Sequence, residues 1–309
     1  MIGMAILSTR SKRRLISWGV SLDYRDSQSS QDNQIRAIKD FTAGEVDVIG
    51  VMPVVTDGYD GVFQVAKEAS IPIIVVDRRA DVPEDLYTTY LASDFVEEGR
   101  QAARVLAELT GGQANIVELA GIEGDYVAIE RGQSFRDVLP EYPGMKILAS
   151  EDRGFNIPES KPVMAGLLQQ YGDQIDALYA HNDQMARGAI EAIEEYGLRP
   201  GVDIKIVSIG GGVEGRTLEE IAASKINASV EYGPKFGPQF FELALKLANG
   251  EPVPKHVIVE EGIVYPADAA RMLAARRSQD WAPLNKLQAQ NLVDIRFVLQ
   301  SDVQYFGLD

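Results

Sequence analysis

A chain with no cysteine and only two histidines, His181 and His256, must do its chemistry with carboxylates, amides and guanidinium groups. Disulfide staples, thiolate catalysis and Cys-based zinc sites are excluded, and too little histidine remains for a His-rich metal site or a triad. The polar residues that could act sit just beyond apolar runs. They are Asp77-Arg78-Arg79 after IIVV, Asn182-Asp183 after LYAH, and Glu231 at the end of INASVE. Asp or Asn in such places can simply cap the next helix, a reading that suits Asp183 because Gln184–Met185 begins one. Arginine is a poor N-cap whose charge needs a partner, so Arg78 and Arg79 call for another explanation. Acid–base catalysis is a poor fit: Asp77 beside Arg78 is expected to stay ionised and to donate no proton.

Nucleotide and hydrolase signatures are weak or missing. There is no G-x-x-x-x-G-K-[ST] and no G-x-S-x-G. GGGVEG at Gly210–Gly215 matches G-x-G-x-x-G formally, yet it falls late in the chain, and Glu231 lies one helix and one strand further on. A lone match of that kind does not carry a dinucleotide site.

The elements that must position these loops alternate from about residue 20 onward. VSLDYRD reads as a strand, and Gln31 to Ala43 as a helix with Ile35, Ile38 and Phe41 on one face. VDVIGVMPV and IPIIVVD read as buried strands flanking a helix from Tyr59 to Ser70, with Val62, Phe63, Val65 and Ala66 inward. The same alternation runs on through ANIVELAG, IDALYAHN, IKIVSIG and INASVEY to a helix from Gly237 to Leu247. Strand–helix alternation demands right-handed crossovers and parallel sheets, so the expected fold is α/β and doubly wound, with two such sheets. Ligands of such sheets bind beyond the C-terminal strand ends, where these polar loops lie.

Size and charge agree with that picture. The chain has 309 residues, more than one simple core usually serves, so two lobes are expected. Its net charge of −16 repels phosphate backbones and argues against a nucleic-acid partner. The one basic cluster, Arg10, Lys12, Arg13 and Arg14, reads as a solvated helix face. No apolar stretch has a membrane span's length. The opening MIGMAILSTRSKRR places its charges after a brief apolar run, the reverse of a secretory signal, so a signal is expected to be absent or removed.

Seven segments, DSQSSQDNQIRAIKDF, IPIIVVDR, YLASD, AIERGQSF, YAHNDQMARGAIEAIEEYGLRPG, IKIVSIGG and INASVEYGP, carry a resemblance in order and spacing. From about Val20 to Ala270 the chain resembles the type I periplasmic sugar-binding proteins, receptors of ABC importers, and among them the galactofuranose-type branch. Repressor cores share the fold, but no helix-turn-helix headpiece precedes the first strand. The resemblance implies two lobes joined by three crossing segments, with a monosaccharide, pentose or hexose, closed between them. It also implies a non-catalytic monomer, no cofactor and no metal, a periplasmic location and an ABC permease as partner. The expected lobes are 1–92 with 233–258 and 291–309, and 93–232 with 259–290. Sensing within a regulator or chemosensory complex, or an engineered or permuted binding scaffold, is the alternative.

Sugar hydroxyls are gripped by planar carboxylate, amide and guanidinium groups, and aromatic rings pack on the apolar ring face. The resemblance carries ligand contacts onto Asp77, Arg78, Arg131, Phe155, Asn182 and Glu231. Read alone, Arg131 could equally form a surface ion pair with Glu130 or Asp125, and Glu231 could be a structural acceptor. Two departures stand out. Gly210 replaces an acidic residue usual in the family, and no arginine follows Phe155 closely. The chain also opens on what reads as the family's first helix, Met4 to Trp18, without the strand that should come before it. The tail offers VDIRFVLQ and then SDVQYF, which resemble that missing strand and its sugar-packing loop. A circularly permuted order would explain both ends and make Tyr305 and Phe306 ring-stacking residues; a C-terminal extension unrelated to the site is the alternative.

Overall fold

The computed structural model describes residues 20–152, 154–212, 216–232, 236–278 and 293–299. The chain divides into two compact units, one built from 1–93, 235–259 and 282–309, the other from 94–234 and 260–281.

The chain first lays down β1 (Val20–Asp26), α1 (Gln31–Ala43), β2 (Val48–Val51), α2 (Asp60–Glu68), β3 (Ile73–Val76) and β4 (Thr89–Ala92). Next come α3 (Phe95–Thr110), β5 (Gln113–Gly121), α4 (Tyr126–Val138), β6 (Gly144–Asp152), α5 (Ile157–Tyr171), β7 (Ala177–Ala180) and α6 (Asp183–Tyr196). The remainder is β8 (Lys205–Ile209), α7 (Thr217–Ala222), β9 (Ala228–Val230), α8 (Phe236–Ala248), β10 (His256–Ile258), β11 (Ile263–Val264), α9 (Pro266–Ser278) and β12 (Val293–Leu299).

The first unit holds a six-stranded parallel sheet in the order β1-β12-β2-β3-β4-β10. Every residue of β2, β3 and β4 is buried, as strands covered on both faces require. The last strand in sequence is an interior member of this sheet. It pairs along its whole length with β1, Val20 opposite Val293 through Asp26 opposite Leu299, and from Ile295 to Val298 with β2. That is the position expected of it in a permuted order.

The second unit's sheet runs β11-β9-β8-β7-β5-β6 and is parallel except for β11, which pairs antiparallel with β9. Helices α3 and α4 pack together, as do α5 and α6. Side chains following the strands start these helices: Asp94 caps α3 through Glu97 N, Asp125 caps α4 through Val127 N and Ala128 N, and Asn156 caps α5 through Glu159 N. One inward assignment is corrected. Val65 is 45 % exposed, because α2 buries Val62, Phe63 and Ala66 and turns the residue between them to solvent. No helix among the described residues is long and apolar enough to cross a membrane.

Candidate functional site

In the second unit the candidate residues gather at the C-terminal ends of the strands, and Arg131 is the most deeply set. It lies in the second turn of α4 with 3 % exposure. Its Nε donates to Glu98 Oε2 at 2.6 Å, and its Nη1 donates to the His181 carbonyl at 2.8 Å, while Nη2 has no partner among the described residues. Tyr232 and Phe95 place their rings 4.9 and 5.6 Å from the guanidinium carbon. Burial alone would lower the guanidinium pKa, but the charge and hydrogen bond of Glu98 hold it above its ordinary value. Burial, with Glu261 acting in the same direction, pushes the Glu98 carboxyl up, and the Arg131 cation 2.6 Å away pulls it back toward the charged form.

A second buried group supports the first. Glu118 on β5 and His181, directly after β7, are both fully buried, with His181 Nε2 2.9 Å from Glu118 Oε1. Arg136 donates to both Glu118 oxygens. Burial holds the His181 pKa below its ordinary value, and for Glu118 the His181 and Arg136 contacts outweigh burial and hold its carboxyl low. The imidazole is therefore neutral and donates through Nε2, leaving Nδ1 without a partner. The His181 ring lies 4.7 Å from Tyr179, which itself stacks at 4.2 Å on Phe135 of α4. This packing fixes the carbonyl that orients Arg131.

Asn182 comes next. It is the N-cap of α6: its Oδ1 accepts from Met185 N at 2.8 Å, and its Nδ2 donates to the Phe155 carbonyl at 3.1 Å. The Phe155 ring lies against Gly121, where φ is +86° and a Cβ would fall 2.4 Å from the ring. Asp183 does not cap. It is buried, accepting from Ser208 Oγ at 2.6 Å, Ser229 Oγ at 2.7 Å and Gly212 N at 2.8 Å. The loop after β8 closes over this carboxylate, and a Cβ on Gly210, at φ +144°, would meet Asp183 Oδ2 at 2.5 Å. Position 210 therefore has no room for the family's usual acid. Glu231, half-buried after β9, accepts from Gly262 N at 2.8 Å and holds that segment through its own backbone as well.

In the first unit Asp77 follows β3 with φ +65° and is buried, its N–H donating to Leu91 O and its carbonyl accepting from Tyr90 Oη at 2.6 Å. Arg78, half-buried beside it, makes no hydrogen bond or ion pair among the described residues. In the same unit, Gln34 donates to Met52 O and accepts from Val54 N and Tyr59, fixing the loop between β2 and α2.

Known proteins match this architecture over most of its length. A periplasmic binding protein domain family matches residues 15–252. The galactofuranose-binding protein YtfQ of Escherichia coli is 35 % identical over 257 residues, covering 82 % of this chain and 80 % of that protein. The chain belongs to the type I periplasmic sugar-binding proteins. It is a binding protein and not an enzyme. Among solved structures, the arabinose ABC transporter's periplasmic component from Shewanella sp. ANA-3, bound to α- and β-L-arabinofuranose, is 38 % identical with a TM-score of 0.76. It aligns over 84 % of this chain and 87 % of that one. A Mycobacterium smegmatis structure in complex with β-D-fucofuranose is 39 % identical with a TM-score of 0.73, over 84 % of this chain and 86 % of that one.

Within this family member, the sequence-predicted residues Phe155, Asn182 and Glu231 lie just beyond strand ends of the second unit and Arg131 in the second turn of α4, while Asp77 and Arg78 follow β3 in the first unit. Arg131 and Asn182 are linked through the His181 backbone, and Asn182 binds Phe155 directly. Arg131 pairs with Glu98 rather than with Glu130 or Asp125. Tyr305 and Phe306, like the helix expected over Met4 to Trp18, lie outside the described residues. Sequence reasoning missed Glu98, Glu118 and Tyr232. The signal for Glu98 was present: it shares the buried stripe of α3 with Ala102, Val105 and Leu106, where a lone acid needs a buried cation.

Proposed function

We propose that this protein binds a pentose or hexose in its furanose form in the periplasm and hands it unchanged to an ABC import permease. Arg131, Asn182, Phe155 and Glu231 of the second unit, with Asp77 and Arg78 of the first, contact the sugar. Tyr305 and Phe306 stack on its ring. The observation that carries the reading is the buried Arg131, which keeps one nitrogen without a partner next to the Asn182–Phe155 loop. A buried donor without an acceptor is costly, and a ligand hydroxyl supplies one. The furanose form is favoured by the relatives whose bound or named sugars are galactofuranose, arabinofuranose and fucofuranose.

Thermal unfolding with L-arabinose, D-galactose, D-fucose, D-ribose and D-fructose tests this. A cognate sugar at about 100 times its dissociation constant stabilises the fold by roughly 2.7 kcal/mol. Chromatography of the recovered ligand should show it chemically unchanged. If none of these sugars raises the melting temperature, the proposal fails.

A further inference from the structure

The three nitrogens of Arg131 differ in what they have left to offer. A guanidinium grips a carboxylate or phosphate through two parallel N–H bonds, along either its Nε/Nη2 edge or its Nη1/Nη2 edge. Here Glu98 Oε2 occupies Nε at 2.6 Å and the His181 carbonyl occupies Nη1 at 2.8 Å. Glu98 therefore spends the Nε/Nη2 edge, which cannot hold an anion bidentately, while Nη1 keeps its second N–H and Nη2 keeps both of its own. These remaining N–H groups suit the separate oxygens of sugar hydroxyls.

Charge leads to the same conclusion. An uncompensated guanidinium at 3 % exposure would be an anion receptor, because a buried cation gains most from a counter-charge. Glu98, at 1 % exposure, already supplies it. Its carboxylate lies 2.6 Å from Arg131 Nε and cancels the guanidinium charge. The rings of Phe95 and Tyr232 flank the guanidinium and keep bulk water from screening the balance.

We propose that Glu98 is the positioning residue that makes Arg131 a receptor for uncharged sugar hydroxyls and excludes sugar acids and sugar phosphates. This rests on the sugar-binding reading and narrows it to a ligand class. Glu98 acts through Arg131, by consuming one bidentate edge and neutralising the charge.

Calorimetric titration of the full chain tests it, with the five neutral sugars above against D-galacturonate and D-ribose 5-phosphate. The wild type should take a neutral sugar and bind both anions at least about 100-fold more weakly, the size expected when an anion meets a charge that is already neutralised. Glu98→Gln should lose about tenfold in neutral-sugar affinity and raise the anion-to-neutral ratio at least about tenfold, with that gain shrinking as salt is added. A merely structural role would weaken both ligand classes alike and leave the ratio unchanged, and that result overturns the inference. Should Glu98→Gln not fold, the wild type decides alone, because anion binding as tight as neutral-sugar binding also overturns it. A wild type that binds no sugar of either class refutes the sugar-binding reading itself, whereas neutral binding with an unchanged ratio refutes only the role of Glu98.

Discussion

At the residue scale, the two contacts that looked alike in sequence, Arg78 and Asn182, have different physical positions. Arg78 makes no hydrogen bond or ion pair among the described residues, so none of those residues depends on its charge. Arg78→Ala should leave the melting temperature of the ligand-free protein unchanged and weaken sugar binding by about 1.5–3 kcal/mol, the range for hydrogen bonds to charged groups. Asn182 also caps α6 and ties down Phe155. Asn182→Ala should therefore cost about 1 kcal/mol of stability through the lost cap, in addition to its effect on affinity. Asn182→Asp separates the two roles: it keeps an oxygen for Met185 N and loses the amide donor. If Asn182→Asp melts as low as Asn182→Ala, the cap is not what the side chain contributes to stability. The capping role was legible in the HND motif but belonged one residue earlier than Asp183. Periodicity locates a helix start only to within a residue or two. Asp183 is instead buried by three donors that arrive from β8, β9 and the glycine loop, and no local pattern foretells such long-range partners.

At the element scale, the decisive feature is β12. Seven residues pair with β1 and four of them also with β2, so the strand joins β1 to the rest of the first sheet. Ile295 at its centre is fully buried. Ile295→Ala should destabilise the first unit by about 2–5 kcal/mol, the cost of a large-to-small core change. Ending the chain at Asn291 should go further, stripping amide protection from β1 to β4 while β5 and β7 keep theirs, as hydrogen exchange would record. A truncated protein with β2 and β3 still protected would show that the strand is dispensable. Much of this architecture was legible because apolar runs of four or more residues alternate with amphipathic stretches, as in IIVV followed later by α3. β10 and β11, with three and two residues, are too short to carry a period, and α9 is alanine-rich with little apolar contrast between its faces. The antiparallel pairing of β11 breaks an otherwise parallel pattern for the same reason: two residues contain no register signal.

For the whole molecule, the chain passes between its units at 93/94, 234/235, 259/260 and 281/282. Neither unit is a continuous stretch of sequence, yet their responses to acid should differ. A net charge of −16 is progressively neutralised as pH falls toward the isoelectric point near 4.6, which eases repulsion throughout the molecule. The buried Glu118–His181 pair works in the opposite direction, and only in the second unit. His181 has a folded pKa held below the ordinary 6.5, so the unfolded chain binds the proton first and stability falls as pH drops through that value. Glu118 has a folded pKa held below 4.5; its stabilisation is present above that value and is lost as pH falls further. Both groups therefore make acid unfavourable. Burial raises the Glu98 carboxyl pKa in the same unit, which opposes this trend. The share of His181 is therefore the part of the quickening of hydrogen exchange in β5 and β7 between about pH 7.5 and 5, once intrinsic rates are corrected, that depends on the imidazole. His181→Asn, which can still donate to Glu118 but cannot titrate, should flatten that dependence while Arg131 keeps its backbone acceptor. If the variant and the wild type lose protection in parallel, the acid response belongs to another group and not to this pair.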